Sequence, residues 1–205
     1  SIMVLILPTH PTNDWISHIN NQIKNCTARI KYEYKYKEEL TFLTLTGFFC
    51  KIPFPDNKNL IPVFVCPHEP FGKGSLSKKI YYNGQEILFS KSLSDFSSKI
   101  FAYKNFDIIV IKQENNFKIF YFLEIDENAY NNNPNAIFKE IYTLNSKETY
   151  FSIGNLGKMI EQNESFFKCK LSYSGFSLGQ PILNLDNKKC IGIAKEYSLH
   201  DDFNI

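Results

Sequence analysis

The sequence predicts an all-β fold, and three features support this prediction. Short apolar segments recur from residue 27 to residue 194 with almost no strong helical pattern between them, which is typical of sandwiches and barrels. Residues 27–37 alternate between apolar or aromatic and charged side chains, as a half-buried strand does. Asn83-Gly84 stands between two apolar segments and is the strongest short hairpin signal in the chain.

One short helix is expected ahead of the strands. Trp15, Ile19 and Ile23 recur every four residues between about Asp14 and Lys24, so they share a helix face that packs against the β-structure. The strand segments expected after it in the first half are 27–37, 40–52, 60–65, 80–82, 86–89 and 106–112. Those of the second half are 141–144, 149–159, 166–171, 182–185 and 190–194.

A polar segment divides these strands into two groups. Residues 124–137 are rich in asparagine and acidic residues and contain Pro134, so they are expected to lie in a linker. The predicted organisation is therefore an N-terminal segment with the helix, a first β unit, a linker and a second β unit. Their bounds are 1–26, 27–115, 116–138 and 139–205.

Composition excludes several classes of function. A hydrophobic content of 43% and an aromatic content of 16% argue against disorder. The net charge is only +2, and Arg29 is the sole arginine among 23 basic residues, so we expect no nucleic-acid partner. Residues 2–7 are apolar but too few for a signal peptide core with its cleavage site or for a membrane span, so we expect no membrane partner.

The cysteines point to a reducing compartment. The chain has five of them, an odd number without the paired spacing of metal ligands. We therefore expect free thiols, no metal, no cofactor and a cytoplasmic location.

A serine between glycines marks the most informative stretch, Ser174–Leu183, which reads SGFSLGQPIL. A Gly-x-Ser turn can direct two backbone N–H groups at one point and so hold a developing oxyanion. Two upstream stretches strengthen this signal. Residues 62–68 form an apolar strand that ends at His68, and in residues 105–111 Asp107 directly precedes an apolar strand.

The order His68, Asp107, Ser177 is the chain order of chymotrypsin-type serine proteases. The fragments TGFF at residues 46–49, PILNL at 181–185 and CIGIA at 190–194 agree with it. Residues 44–197 thus resemble the trypsin-like peptidases, specifically their short intracellular branch. The resemblance implies two packed antiparallel β-barrels of chymotrypsin/trypsin type with a short N-terminal helix.

The same resemblance implies the chemistry. Ser177 would be the nucleophile of an endopeptidase that acts through an acyl-enzyme, and His68 would take its proton. Asp107 would orient the imidazole, and the backbone N–H groups of Gly175 and Ser177 would form the oxyanion hole. The implied partner is a protein or peptide substrate. The sequence leaves cleavage preference and oligomeric state open.

The serine loop departs from the family pattern Gly-x-Ser-Gly-Gly/Ser-Pro because it is one residue too long. If the pattern is counted from Gly175, Ser177 occupies the nucleophile position. If it is counted back from Pro181, Leu178 occupies that position and the site is catalytically inactive. The family normally continues with a further strand beyond residue 197, so we expect the closing strand of the second barrel to be missing or to be supplied from elsewhere, such as residues 2–7. The alternative function is therefore a catalytically inactive pseudopeptidase that serves as a protein-binding or scaffolding module.

Each candidate residue also has a structural interpretation. A histidine after a strand can simply be a hydrogen-bonded surface residue, and an aspartate before a strand often just terminates it. His10, His18 and His200 have no motif around them and are expected to be structural. Cys66 shares a strand face with His68, so a thiol–histidine pair is conceivable, but no oxyanion turn accompanies it. A β-rich module unrelated to proteases is the third possibility.

Overall fold

The computed structural model describes ten segments of the chain. They are residues 13–54, 57–67, 75–87, 100–103, 106–110, 119–128, 140–144, 155–162, 167–171 and 178–194. The elements of the first half are α1 (Asn13–Cys26), β1 (Thr27–Tyr36), β2 (Glu39–Phe54), β3 (Asn57–Pro67), β4 (Ser75–Tyr82), β5 (Gln85–Ile87), β6 (Ile100–Tyr103) and β7 (Phe106–Val110). Those of the second half are β8 (Glu140–Thr143), β9 (Asn155–Gln162), β10 (Phe167–Leu171), β11 (Pro181–Asn184) and β12 (Cys190–Ile193).

The predicted helix and strand segments are confirmed where the structure describes them. Ile19 of α1 is buried, as its spacing predicted, whereas the Trp15 side chain lies outside the described residues. Asn83 and Gly84 both have positive φ, at 50° and 76°, as the predicted two-residue hairpin turn requires. No helix in the described segments is long and apolar enough to cross a membrane.

The strands form two antiparallel sheets. The first has the order β5-β4-β1-β2-β3-β7-β6, and the second has the order β10-β9-β8-β11-β12. Among the described residues both sheets are open, with β5 and β6 at the edges of one and β10 and β12 at the edges of the other. The structure therefore confirms a mostly β fold with one short helix, while closure into two barrels stays a prediction.

The middle of the first sheet is buried on both faces. Alternate residues of a strand point to opposite faces, and here both sets of side chains lie in a core cluster. In β2, Leu45 and Phe49 belong to one core cluster, whereas Phe48 and Cys50 belong to another. The first cluster consists of Ala28, Ile30, Leu45, Phe49, Phe64, Cys66, Ile80, Tyr82, Ile109 and Ile119. The second consists of Ile19, Cys26, Phe48, Cys50, Val63, Val65, Leu123, Tyr142, Leu144, Leu183 and Cys190.

The second cluster holds the two sheets and α1 together, since its members come from all three. Burial of each large apolar side chain contributes about 1.5–3 kcal/mol. Cys26, Cys50 and Cys190 all lie in this cluster as free thiols. Burial raises the pKa of Cys26 and of Cys190 to about 12, and burial is also the main cause of the raised pKa of Cys50. These thiols therefore act as small apolar side chains rather than nucleophiles.

Residues 119–126, which we call the crossing segment, pair with both sheets. The N–H of Leu123 donates to the carbonyl of Phe49 at 2.9 Å, and the N–H of Lys51 donates to that of Leu123 at 3.3 Å. Three residues on, the N–H of Asp126 donates to the carbonyl of Cys190 at 2.8 Å. The N–H of Cys190 in turn donates to the backbone carbonyl of Glu124 at 2.7 Å. Part of the expected linker is thus an ordered bridge between the sheets.

Gly47 of β2 offers a test of the packing of the first sheet. A Cβ at this position would overlap the Phe64 ring, at 2.7 Å from its Cε2 atom. That ring already contacts Phe49, with 4.8 Å between centroids, so it has little room to retreat. We expect Gly47→Ala to lower the free energy of unfolding by about 1–3 kcal/mol.

Urea denaturation followed by circular dichroism measures this loss. The double variant Gly47→Ala/Phe64→Leu, compared with Phe64→Leu, is the matched control. Without the Phe64 ring, the added methyl group should lower the free energy of unfolding by less than it does in the wild-type background. A Gly47→Ala protein as stable as the wild type would contradict the packing described for Phe64.

Candidate functional site

The structure describes the surroundings of the proposed triad rather than the triad itself. His68, Gly175 and Ser177 lie outside the described residues. For Asp107 the backbone is described, within β7, but the side chain is not.

The positions of His68 and Asp107 are related through the pairing of β3 with β7. β3 ends at Pro67, so His68 follows directly after the last residue of that strand. The preceding residue, Cys66, is the register partner of Asp107, and Pro67 is the partner of Phe106. The backbone of Asp107 thus lies beside the end of the strand that leads into His68.

The exit of the serine loop is fixed to the first sheet by a backbone hydrogen bond. The N–H of Thr46, a buried residue of β2, donates to the carbonyl of Leu178 at 3.1 Å. The Leu178 side chain is partly buried and packs against the first core cluster, whose members include Phe64 and Cys66 of β3. A residue of the second half of the chain therefore lies against the core of the first sheet.

Gly179 and Gln180 form a β-bulge opposite Ala194. The N–H of Gly179 donates to the carbonyl of Ala194 at 2.9 Å, and the N–H of Ala194 donates to the carbonyl of Gln180 at 2.9 Å. Two residues on one side thus oppose a single residue on the other. Gly179 has φ +87°, in the left-handed region that the first position of a glycine bulge requires. Its lack of a side chain is therefore a requirement of the backbone here.

Crowding imposes the same requirement on Gly179 independently. A Cβ at this position would overlap the carbonyl oxygen of Thr46 and would lie 2.7 Å from Cγ of Pro67. The chain leaving the serine loop thus touches the residue that directly precedes His68. Together with the Cys66–Asp107 pair, this contact links the described residues that adjoin His68 and Ser177 in the sequence to the backbone of Asp107.

A cysteine nucleophile and a metal site find less support among the residues around Pro67 and Gly179. Cys66 is fully buried in the first core cluster, which does not suit a nucleophile that must reach a substrate. Among the described residues, no group of three or more His, Cys, Asp or Glu side chains is arranged to hold a metal ion.

The described strands form two packed antiparallel sheets, and this fold is similar to that of a protease of known structure. The crystal structure of tobacco vein mottling virus protease matches the chain with a TM-score of 0.55 and 13% sequence identity. The match covers 89% of this chain and 76% of the viral protease chain. No protein-family model matches the sequence, and no curated protein matches it either.

Sequence reasoning singled out residues 174–183 as the candidate serine loop but missed the role of Gly179. The signal was present, because a glycine two residues before a proline that opens a strand is well placed for a bulge. The bond between Thr46 and Leu178 had no such signal, since it joins residues that are far apart in the sequence.

Gly179→Ala should be among the most destabilising small substitutions in the chain. It combines a positive φ, which costs about 1–2 kcal/mol for a residue with a Cβ, with a steric overlap against backbone that cannot rotate away. We expect a loss of more than about 3 kcal/mol in the free energy of unfolding. Thermal and urea denaturation would measure it.

Gly84→Ala is the matched control, because Gly84 also has a positive φ, at 76°, but a Cβ there would have no heavy atom within 4 Å. It should show the conformational cost alone. Equal losses in the two variants would mean that Gly179 is not crowded by Thr46 and Pro67.

Proposed function

We propose that this chain is a catalytically inactive protein of the chymotrypsin-like fold that binds protein or peptide segments, with Leu178 in the place of the nucleophile. The observation that carries this proposal is the position of the bulge at Gly179. In the pattern Gly-x-Ser-Gly-Gly/Ser-Pro, one glycine separates the nucleophile from the last residue before proline. The backbone requires glycine at position 179, two residues before Pro181, so the residue ahead of it is Leu178.

The surroundings of Leu178 favour the same register. Its carbonyl is bonded to Thr46, and its side chain packs on the cluster that contains Cys66, two residues before His68. An isobutyl group at the nucleophile position has no proton to give to an imidazole and no lone pair to attack a carbonyl. In this register Ser177 stands one residue too early to take the nucleophile's place.

Binding of polypeptide segments is the function that the fold can retain without the nucleophile. The likeness to a viral protease supports a surface shaped for peptides, although fold alone does not fix function. Leu178 would then provide an apolar contact at the centre of that surface, where a peptidase has its reactive serine. Backbone groups at the sheet edges can bind an extended segment as an added strand.

An active serine endopeptidase is the second candidate, and the contact between Gly179 and Pro67 favours it. Ser177 is two residues from Gly179, and His68 directly follows Pro67. In this case the Ser177 Oγ attacks the substrate carbonyl while His68 accepts its proton, and Asp107 orients the imidazole. The N–H groups of Gly175 and Ser177 would stabilise the oxyanion, and losing one such donor typically costs about 3 kcal/mol in the barrier.

Labelling with a broad fluorophosphonate, followed by intact-mass spectrometry, distinguishes the two candidates. We expect the wild-type protein to form no adduct, because the residue at the nucleophile position is apolar. Ser177→Ala should behave like the wild type, and circular dichroism should show that both are folded. A single wild-type adduct that disappears in Ser177→Ala would establish an activated Ser177 and overturn the inactive assignment.

The binding half of the proposal is tested separately by selecting displayed random peptides on the wild-type protein. We expect enriched peptides whose affinity falls at least about tenfold for Leu178→Asp, since a carboxylate at the centre of an apolar contact must be desolvated. Leu178→Ala is the matched control for simple loss of packing and should have a smaller effect. Failure to enrich any peptide, or equal binding by Leu178→Asp, would contradict a peptide surface at Leu178.

A further inference from the structure

A cleft lies at the opposite end of the β11–β12 hairpin from Gly179. Its volume is about 460 Å³, a size that suits a small molecule. It is bounded by α1, by the crossing segment and by the turn that joins β11 to β12. The polar side chains that line it are His18, Asn21, Gln22, Asn25, Glu124, Asn187, Lys188 and Lys189.

His18 is one of the residues that line this cleft. Its Nε2 atom is fully buried and has no hydrogen-bond partner among the described residues. Leaving a buried polar atom unpaired typically costs about 1–3 kcal/mol, so such atoms call for an explanation. Burial, and then the charge of Lys188, lower the pKa of His18 below its usual 6.5, so the ring is neutral at pH 7. A neutral imidazole can still donate one N–H.

Lys188 supplies a positive charge beside His18. Among the described residues it has no ion-pair partner, whereas its neighbour Lys189 lies 3.4 Å from the Glu124 carboxylate. The Glu124 carboxylate is thus already paired with Lys189, so the described residues of the cleft leave the positive charge of Lys188 without a counterion. Among the described lining residues, the cleft therefore carries an excess of positive charge beside His18.

The turn that carries Lys188 is held in one conformation. Lys188 has a φ of 61°, and its N–H donates to the carbonyl of Asn184 at 2.8 Å. The side-chain oxygen of Asn184 accepts from the N–H of Asp186 at 3.0 Å, and that of Asn187 accepts from the N–H of Lys189 at 2.9 Å. The backbone of this wall is therefore organised before any ligand arrives.

The helix wall is held in place as well. The Tyr142 hydroxyl, from the second sheet, donates to the Gln22 side-chain oxygen at 2.8 Å. The Gln22 amide nitrogen is thereby directed to the carbonyl of Lys188, at 3.4 Å. This chain of bonds ties α1 to both the second sheet and the turn, so a ligand would not have to order the helix and the turn relative to one another.

We propose that this cleft binds a small molecule through an oxyanion, a carboxylate or a phosphate group, held between His18 and Lys188. The His18 N–H and the Lys188 ammonium supply two donors, and hydrogen bonds to charged groups are the strong kind. The side chains of Tyr121 and Phe122, at the cleft wall, would contact the remainder of the ligand. The site is remote from the serine loop, so it stands or falls independently of the proposed function.

Binding should depend on pH through His18. An oxyanion beside the ring favours the imidazolium and raises the pKa of His18, whereas without ligand that pKa is lowered. Affinity should therefore increase as the pH falls from the pKa of the complex to that of the free protein. The other titratable groups that line the cleft are Cys26, Tyr121, Glu124, Lys188 and Lys189, and burial holds the Cys26 thiol neutral throughout, with its pKa raised to about 12.

NMR titration of the histidine ring signals tests the proposal, with sodium phosphate and sodium acetate as probes in a buffer free of both. The His18 signals are assigned by comparison with His18→Gln. We expect them to shift saturably, with a dissociation constant on the order of 1 mM. Acetate, whose charge does not change between pH 6 and pH 8, should bind more tightly at pH 6 than at pH 8. Saturation by phosphate, by acetate or by both identifies the preferred oxyanion.

Lys188→Asn removes the charge while keeping a residue that tolerates a positive φ, so its thermal stability should stay close to that of the wild type. It should weaken binding about tenfold. Lys79→Asn, on the distant strand β4, is the matched control and should bind like the wild type. The proposal is overturned if the His18 signals do not move with either probe, or if Lys188→Asn titrates like the wild type.

Discussion

The approach of the serine loop to the first sheet depends on the missing side chain at Gly179. Any Cβ there would collide with Thr46 and Pro67, and the left-handed backbone would be strained in addition. Because this residue is also the first position of a bulge, the start of β11 and the exit of the loop are set together. A bulge next to a functional site commonly redirects the chain, and here it presses Leu178 onto the core of the other sheet.

The crossing segment is the second feature that fixes how the sheets meet. The backbone of Leu123 is hydrogen-bonded to β2, and its side chain packs in the second core cluster. The backbones of Glu124 and Asp126 are hydrogen-bonded to Cys190 in β12. A flexible linker would leave the two sheets free to move as separate bodies. Both ends of the β11–β12 hairpin are thus held by backbone hydrogen bonds, one at the Gly179 bulge and one at the Asn184 turn.

Local pattern predicted the strands well, because alternation in β1 and the Asn83-Gly84 turn are read within a few residues. β6 has only four residues and showed no usable period. The bridge at Leu123 left no pattern either, since its partners Phe49 and Lys51 are more than seventy positions away. The cleft lined by His18 left no pattern for the same reason, because it is assembled from three distant stretches. Closure of the sheets into barrels likewise depends on pairings that no local pattern specifies.

The identity of the residue at the nucleophile position also affects the stability of the fold. A catalytic serine at the edge of a core leaves a polar group that needs partners, and active sites of this kind are commonly less stable than apolar replacements would be. A leucine at the same point adds apolar burial against the first core cluster and needs no hydrogen bond. In the proposed register, a leucine in the place of the nucleophile therefore stabilises the fold, and the Gly179 bulge directs a packing contact. The proposed surface for peptides would need this loop shape and no reactive hydroxyl.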